Sequence, residues 1–317
     1  MSDEEGMSLN QTVVTEFLLL GFSTSPERRF LLFVAVLTIY LIAVVGNLLI
    51  ILVTMVDPVL HTSMYFFLSN LSALEVGYIS VTVPKMLGIL ISGDKHISLA
   101  GCAVQMFCFL CFGVTESSFL ATMAYDRYVA ICNPLCYPMI MNKKVCVLLA
   151  TASWTIGVPA QVVQTGLVFS LPFCGSREIN HFFCDSAPLL LLACADTSMN
   201  EILTYLVVTL FGLVPFALIL FSYTRILTTV LIMPSAEGKR KSFSTCSSHL
   251  MVVALFYGSG IVFYLQPRAG EFPDSGKLLS LFYTVLPSLL NPIIYSLRNR
   301  EIQTALRRNL WRKMTPH

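Results

Sequence analysis

The stretch TMAYDRYVAICNPLCYP, Thr122–Pro138, ends a long apolar run with an adjacent acid and base, Asp126 and Arg127. Upstream of this pair, from Ile97 to Tyr125, Glu116 is the single formal charge. A charged side chain at the centre of a bilayer costs at least about 2.5 kcal/mol. We therefore expect a membrane helix here, and we expect its three charged side chains to have a function, because placing them in the bilayer is unfavourable.

The whole chain has the composition of a membrane protein. Of its 317 residues, 56% are hydrophobic and 12% are charged, whereas soluble domains are about one quarter charged. A helix needs roughly 20 apolar residues to cross a bilayer, and seven such runs occur. They are Phe30–Val56, Met64–Ile91, Ser98–Ile131, Lys144–Val168, Met199–Met233, Ser242–Gln266 and Leu278–Leu297. The alternating pattern of a membrane barrel is absent from the sequence. We predict an all-α membrane protein, a seven-transmembrane helix bundle over residues 30–297.

The positions of Lys and Arg orient this bundle, because cytoplasmic loops are enriched in them. They gather after the first, third, fifth and seventh spans. We therefore expect a multi-pass plasma-membrane protein with residues 1–29 extracellular and residues 298–317 cytoplasmic. In the latter segment Ile302, Leu306 and Leu310 recur every four residues among arginines, which predicts a short amphipathic helix on the membrane surface.

The amino-terminal segment shows no pattern of a removable signal peptide, so the first span is expected to act as the insertion signal. Asn10-Gln11-Thr12 matches the acceptor motif for N-glycosylation on the side that we expect outside. Asn10 is therefore a predicted glycosylation site.

Four of the ten cysteines fall on the predicted outer side. They are Cys102, Cys174, Cys184 and Cys194. Oxidising surroundings favour two disulfide bridges among them, and the sequence alone leaves three pairings open. A bridge from Cys102 to the long loop 170–198 would hold that loop over the mouth of the bundle.

The third span has one distinctive face. Each helical residue turns by 100°, so Cys102, Phe109, Gly113, Glu116, Leu120 and Arg127 fall within about 40° of one line. A buried acid should face the bundle interior or a water cavity. Glu116 therefore directs this whole face inward.

Glu75 in the second span is a second intramembrane acid. Two close carboxylates do not both remain ionised cheaply, so Glu75 and Glu116 either share a proton or bind a sodium ion. Asn47 and Asn291 are natural oxygen donors nearby. The alternative is a protonated, hydrogen-bonded packing pair. A structural sodium ion is the one cofactor that we consider.

The outer half of the bundle is apolar. From Ala103 to Thr115 the third span carries no acid or base, and the outer parts of the fifth, sixth and seventh spans are similar. A cavity there suits a small, neutral, mostly apolar molecule with one hydrogen-bonding group, and a charged amine is disfavoured. The alternative is a packed core without a cavity. The candidate ligand-binding residues are Phe109, Leu110, Gly113, Val207, Phe211, Tyr257, Ile261 and Tyr264.

Six blocks in order carry a family resemblance. They are Gly46-Asn47, LHTSMYFFLSNLS at Leu60–Ser72, MAYDRYVAICNPLCY at Met123–Tyr137, Ser222-Tyr223, KSFSTCSSHL at Lys241–Leu250 and PSLLNPIIYSLRN at Pro287–Asn299. With these blocks the chain resembles a rhodopsin-like (class A) G-protein-coupled receptor and, within that class, a vertebrate odorant (olfactory) receptor.

The resemblance implies roles for motif residues. Asp126, Arg127 and Tyr128 match the D-R-Y motif, whose Arg is released on activation to meet the G protein. Asn291, Pro292 and Tyr295 match the N-P-x-x-Y element, and Tyr223 and His249 match positions of the switch around Arg127. The implied disulfides are Cys102 with Cys184 and Cys174 with Cys194. Glu116 matches an acid that these receptors use with the acid of the second span for sodium.

The resemblance also implies the partners. These are a small volatile odorant, the lipid bilayer and a stimulatory, olfactory-type heterotrimeric G protein that raises cyclic AMP. No nucleic-acid partner is expected. The chain departs from the family pattern at Ser63, where Pro is usual, and at Glu75, where Asp is usual. Its tail also lacks the Cys that anchors a lipid in other receptors of this class.

Three other functions would account for parts of the sequence. A transporter or channel would use the buried acids and kinked helices. However, the sequence shows no internal repeat, and its number of predicted spans is odd. An enzyme is disfavoured because the five His residues are scattered and form no catalytic set with a nucleophile. A non-olfactory receptor of the same class for another small ligand is the main alternative.

Overall fold

The computed structural model describes residues 14–22, 25–174, 176–264, 274–298 and 300–314. Twelve α-helices lie within this described part, with a 3-10 turn at Pro58–Leu60 between the first two. They are α1 Pro26–Val56, α2 Ser63–Ser92, α3 Leu99–Cys132, α4 Tyr137–Ile140, α5 Lys143–Thr155, α6 Val158–Phe169, α7 Ser186–Leu190, α8 Ser198–Val208, α9 Val214–Ile232, α10 Ala236–Tyr264, α11 Asp274–Arg298 and α12 Arg300–Met314. Three short strands are also present, β1 Glu16–Leu19, β2 His96–Ser98 and β3 Glu178–Ile179.

Two predicted spans are built from consecutive helices. The fourth span consists of α5 and α6, and the fifth consists of α8 and α9 joined by a π-helical turn, Thr209–Leu213. Pro159 lies in the first turn of α6, where the missing N–H removes no helical hydrogen bond. Pro215 directly follows the π-helical turn, as the second residue of α9. Pro84 and Pro287 instead lie inside α2 and α11.

Six described helical segments are long and apolar enough to cross a membrane: α1, α2, α3, α5 with α6, α8 through α9, and α11. The remaining long helix, α10, starts with the basic residues 239–241 and a run rich in Ser, and it packs against α3, α9 and α11. It completes a bundle of seven. Many large apolar side chains on the outside are exposed, because their solvent in the cell is lipid.

Helix α3 is the centre of the bundle. It packs against α2, α5, α6, α9 and α10. The predicted face is buried at Cys102, Phe109, Glu116 and Leu120. Other faces of α3 are buried as well, for example at Gln105, Thr115 and Phe119, so burial alone does not single out the predicted face.

A three-stranded sheet covers one end of the bundle. Strand β1 pairs antiparallel with β2 and parallel with β3, and Phe17 in β1 is fully buried. The Lys277 amino group at the start of α11 donates to the Gly21 carbonyl, 2.8 Å away. The disulfides Cys102–Cys184 and Cys174–Cys194 tie the following loop to α3 and to itself. This cap therefore joins the amino-terminal segment, the long loop and the bundle.

Helix α12 packs against the opposite end. Its residues Ile302 and Ala305 are buried. The Arg308 guanidinium bonds both carboxylate oxygens of Asp57, which follows α1, and the Tyr65 hydroxyl donates to Glu301 Oε2 over 2.6 Å. The amphipathic segment thus has ionic and apolar attachments to the bundle.

Candidate ligand pocket and signalling core

The predicted ligand residue Phe109 belongs to an aromatic cluster. Its ring centroid lies 5.0 Å from that of Tyr78 in α2 and 4.7 Å from that of Phe183 in the long loop. His181 packs on Phe183 with a centroid distance of 4.6 Å. Burial and then the charge of Lys277 lower the pKa of His181 to about 3. The roof over Phe109 is therefore aromatic, with a neutral imidazole.

Gly113 lies one turn of α3 further in. A Cβ atom added to Gly113 would meet no atom within 4 Å, so space is open beside it. One turn beyond, the Ser117 hydroxyl lies 2.7 Å from the Tyr257 hydroxyl of α10, and Tyr257 also donates to the Gly212 carbonyl over 3.3 Å. The open space therefore has an aromatic wall outward and a pair of hydroxyls inward.

Only some of the other predicted pocket residues lie near Phe109 and Gly113. Leu110 packs beside the aromatic cluster, Val207 is buried and Phe211 is half-buried in the π-helical turn. Ile261 is 56% exposed on the outside of α10, so the structure does not bring it together with Phe109 and Gly113. The side chain of Tyr264 and all of Asn10 lie outside the described part of the chain.

Glu75 and Glu116 form the polar centre of the bundle. Both carboxyl groups are buried and lie close enough to interact with one another. The Ser288 hydroxyl donates to Glu75 Oε2 over 2.5 Å, and the Asn291 amide donates to Glu75 Oε1. The two acids that were 41 residues apart in the sequence are thus adjacent.

Three buried oxygens around these acids lack a hydrogen-bond partner among the described residues. They are Glu116 Oε1, Asn291 Oδ1 and Asn47 Oδ1. The Asn47 amide nitrogen donates to the Ala43 and Ser288 carbonyls, 2.9 Å from each. These bonds fix the orientation of the amide, and its oxygen is a free acceptor in the described structure. Carboxylate and amide oxygens are the ligands of hard cations. These residues therefore fit a cation of the sodium kind.

The D-R-Y residues lie at the inner end of α3. Asp126 Oδ1 accepts hydrogen bonds from the Ser63 hydroxyl, over 2.6 Å, and from the Tyr137 hydroxyl, over 3.1 Å. Burial raises the pKa of Tyr137 to about 12, so this phenol remains a proton donor. Tyr128 packs against the inner parts of α9 and α10.

Arg127 is also close to a second group of side chains. Its charge acts on Tyr223, His249 and Tyr295. The Tyr223 hydroxyl lies 2.8 Å from His249 Nδ1, and Tyr295 is buried. Pro292 packs against α1 so closely that a Cβ at Gly46 would lie 3.1 Å from its Cγ. The motif residues of α3, α9, α10 and α11 thus converge around Arg127.

Sequence reasoning missed four residues of these sites: Ser63, Tyr78, Ser117 and Phe183. Ser117 was detectable, since it follows Glu116 and is turned only about 40° from Gly113 along the helix. Ser63 stood out as a departure from the family pattern, but its partners were not deduced. Phe183 carried no periodic signal because it lies in a loop.

Comparisons with known proteins agree with this architecture. A family model described as "Olfactory receptor" matches residues 36–313. Olfactory receptor 10A5 of Homo sapiens is 57% identical over 300 residues, which cover 94% of this chain and 95% of that receptor. Olfactory receptor 10C1 of Homo sapiens is 53% identical over 304 residues, covering 96% of this chain and 97% of that receptor.

The fold has a counterpart among solved structures. The crystal structure of squid rhodopsin matches with a TM-score of 0.75 at 18% sequence identity, over 92% of this chain and 88% of that chain. This likeness shows a shared seven-helix fold. With more than half of its residues identical to human relatives over nearly their whole length, the chain belongs to the olfactory receptor family of rhodopsin-like G-protein-coupled receptors, which are not enzymes.

Proposed function

We propose that this odorant receptor binds a small, neutral, mostly apolar molecule in the open space beside Gly113. The space itself is the observation that carries the proposal, because a Cβ there meets nothing within 4 Å although Phe109 and Glu116 on the same face are buried. The aromatic rings of Phe109, Tyr78 and Phe183 would hold the apolar body of the ligand. No described acid lies in this outer wall to pair with an amine.

The Ser117–Tyr257 pair would recognise the single polar group of the ligand. Each hydroxyl can donate and accept, so a ligand carbonyl or hydroxyl can join or replace their bond. Because the pair connects α3 with α10, its rearrangement changes how these helices pack. A ligand shifts a conformational equilibrium only through its different affinity for the two states, and this pair would provide that difference.

The cytoplasmic end would couple to a stimulatory, olfactory-type G protein and raise cyclic AMP. Arg127 lies among Tyr223, His249 and Tyr295, so movement of α10 changes its surroundings. Lys143 and Lys144 at the start of α5, with Lys239 in α10, would frame the docking cleft. This placement requires the carboxyl terminus inside the cell and residues 1–29, with a glycosylated Asn10, outside a plasma membrane.

The Glu75–Glu116 centre would hold a structural sodium ion. Glu116 Oε1, Asn291 Oδ1 and Asn47 Oδ1 would act as its ligands, since they are buried acceptors without partners in the described part. A cation there offsets the repulsion of two carboxylates. The ion would stabilise the packing of α2, α3 and α11 in one state, and so affect basal signalling.

A panel of volatile compounds tests the pocket. Cells expressing the receptor should raise cyclic AMP with neutral compounds and not with amines of the same carbon skeleton. Gly113→Leu should abolish the response by filling the space. Gly166→Leu is the matched control, because Gly166 in α6 is exposed and a Cβ there also meets nothing within 4 Å. A Gly113→Leu receptor with unchanged potency would exclude this pocket.

A further inference from the structure

Asp126 is held by two hydroxyl groups from outside its own helix. Ser63 is the first residue of α2, and Tyr137 is the first residue of α4. Both bond to Asp126 Oδ1, and their own oxygens lie 2.5 Å apart. Hydrogen bonds to a buried carboxylate are short and strong. The three side chains therefore join α2, α3 and α4 at one buried carboxylate.

Arg127, the neighbour of Asp126 in the chain, makes no hydrogen bond or ion pair with this network in the described part of the structure. No ion pair joins the two side chains in this described part, although the Arg127 charge acts on Asp126 and Tyr137 as well as on Tyr223, His249 and Tyr295. Its Nε is buried and has no hydrogen-bond partner among the described residues. The guanidinium would gain from a carboxylate partner, and Asp126 is the adjacent one.

We propose that Ser63 is a positioning residue that keeps Asp126 away from Arg127 and thereby sets the ligand-independent signalling of this receptor. With the Ser63 hydroxyl present, the carboxylate is satisfied by neutral donors. Without it, one donor is lost and the Arg127 guanidinium is the nearest replacement. Arg127 would then turn from the Tyr223, His249 and Tyr295 side, and fewer receptors would be in the signalling arrangement.

Ser63 is the first residue of α2, and its hydroxyl is needed for the bond to Asp126 but not for the start of the helix. The first helical position tolerates proline, because its N–H has no partner within the helix. The helix does not need a serine there. Thr62, the residue before, caps α2 without a side-chain hydrogen bond and is exposed. Ser63→Pro thus keeps the helix start and removes the donor.

This inference rests on the proposed coupling to G proteins, and basal nucleotide exchange tests it. Purified receptor in bilayer discs would be mixed in turn with heterotrimers of the stimulatory, inhibitory and Gq classes. Ser63→Ala and Ser63→Pro should lower ligand-independent exchange about ten-fold, the lower end of the effect of losing one hydrogen bond to a charged group. Ser63→Thr should restore it, and Thr62→Val should leave it unchanged.

Epistasis separates positioning from a merely structural role. In an Asp126→Asn background the carboxylate is absent, so adding Ser63→Ala should change basal exchange little. Equal exchange by Ser63→Ala, Ser63→Pro and the parent would overturn the proposal, as would a Ser63→Thr receptor that behaves like Ser63→Ala. If Ser63→Ala lowers basal exchange only with another G-protein class, the proposed stimulatory coupling is wrong and the role of Ser63 stands. If the parent receptor promotes nucleotide exchange on none of the three G-protein classes, both the proposed coupling and the role of Ser63 are overturned.

Discussion

The Tyr257 hydroxyl lies 2.7 Å from the Ser117 hydroxyl, so one hydrogen bond connects α10 with α3 just inside the open space at Gly113. Phe216 and Phe256 pack against the Tyr257 ring, at centroid distances of 4.7 and 5.1 Å, and hold it in place. A ligand that reaches these hydroxyls therefore acts directly on the contact between the two helices.

Ser117→Ala should weaken the response to an agonist that carries a carbonyl or hydroxyl group. A lost hydrogen bond of about 1.4 kcal/mol corresponds to a ten-fold loss of potency. Concentration–response curves for cyclic AMP measure it. Ser118→Ala is the control, because the Ser118 hydroxyl bonds to the Val114 carbonyl of its own helix. If both variants keep the parent's potency, the pair does not contact the ligand.

Glu116→Gln should abolish the effect of sodium on basal signalling. The substitution keeps the size of the side chain and removes the charge that favours a cation. The measurement is basal nucleotide exchange in sodium compared with potassium buffer at equal ionic strength. Glu178→Gln, at an exposed acid of β3, serves as control. A sodium effect that persists in Glu116→Gln and in Glu75→Gln would exclude this site.

The cap formed by the three strands and the long loop should show two opposing pH effects on stability. Burial raises the pKa of Asp185 to about 6 and lowers that of His181 to about 3. The folded state therefore binds the Asp185 proton more tightly than the unfolded state between about pH 4 and 6, and stability falls as pH rises there. Over the same range the unfolded state binds the His181 proton more tightly, and stability rises with pH.

These opposing slopes, each about 1 kcal/mol per pH unit, should nearly cancel in the parent receptor. His181→Asn removes one of them. The variant should become more stable on acidification from pH 6 to pH 4, as measured by thermal unfolding of purified receptor. Parallel pH curves for variant and parent would show that His181 is not neutral and buried as described.

Arg308→Gln should destabilise the attachment of α12. The Asp57 carboxylate is 1% exposed and the Arg308 side chain 42% exposed, so solvent reduces the strength of the pair to roughly 1–2 kcal/mol. Thermal unfolding should shift downward, whereas Arg307→Gln at the adjacent exposed position should have no effect. Identical unfolding temperatures for Arg308→Gln and Arg307→Gln would contradict the structural role.

The sequence predicted the parts of this fold that repeat along a helix. The intramembrane acid Glu116 predicted that its face of α3 turns inward, and Phe109, Glu116 and Leu120 are buried in the structure. Periodicity did not predict that Ile261, one turn beyond Tyr257, is exposed. The packing of the neighbouring helices decides which turns of α10 are buried. The strands of the cap are too short for a periodic pattern.

Contacts between distant residues were also beyond the sequence. Asp57 and Arg308 are separated by 251 positions, and nothing in their local surroundings pairs them. Likewise, Ser63 was notable only as a departure from the family pattern, and its bond to Asp126 depends on how α2 packs against α3. The family resemblance, by contrast, gave the disulfide pairs that composition left open, because it carries information about contacts.

The most direct test of the account is the agonist response of Arg127→Ala. With an agonist from the panel, cells expressing the parent receptor should raise cyclic AMP, and cells with an equal surface density of Arg127→Ala should not. That result links the pocket at Gly113 to a stimulatory G protein through the inner end of α3. An undiminished response in Arg127→Ala would contradict the account.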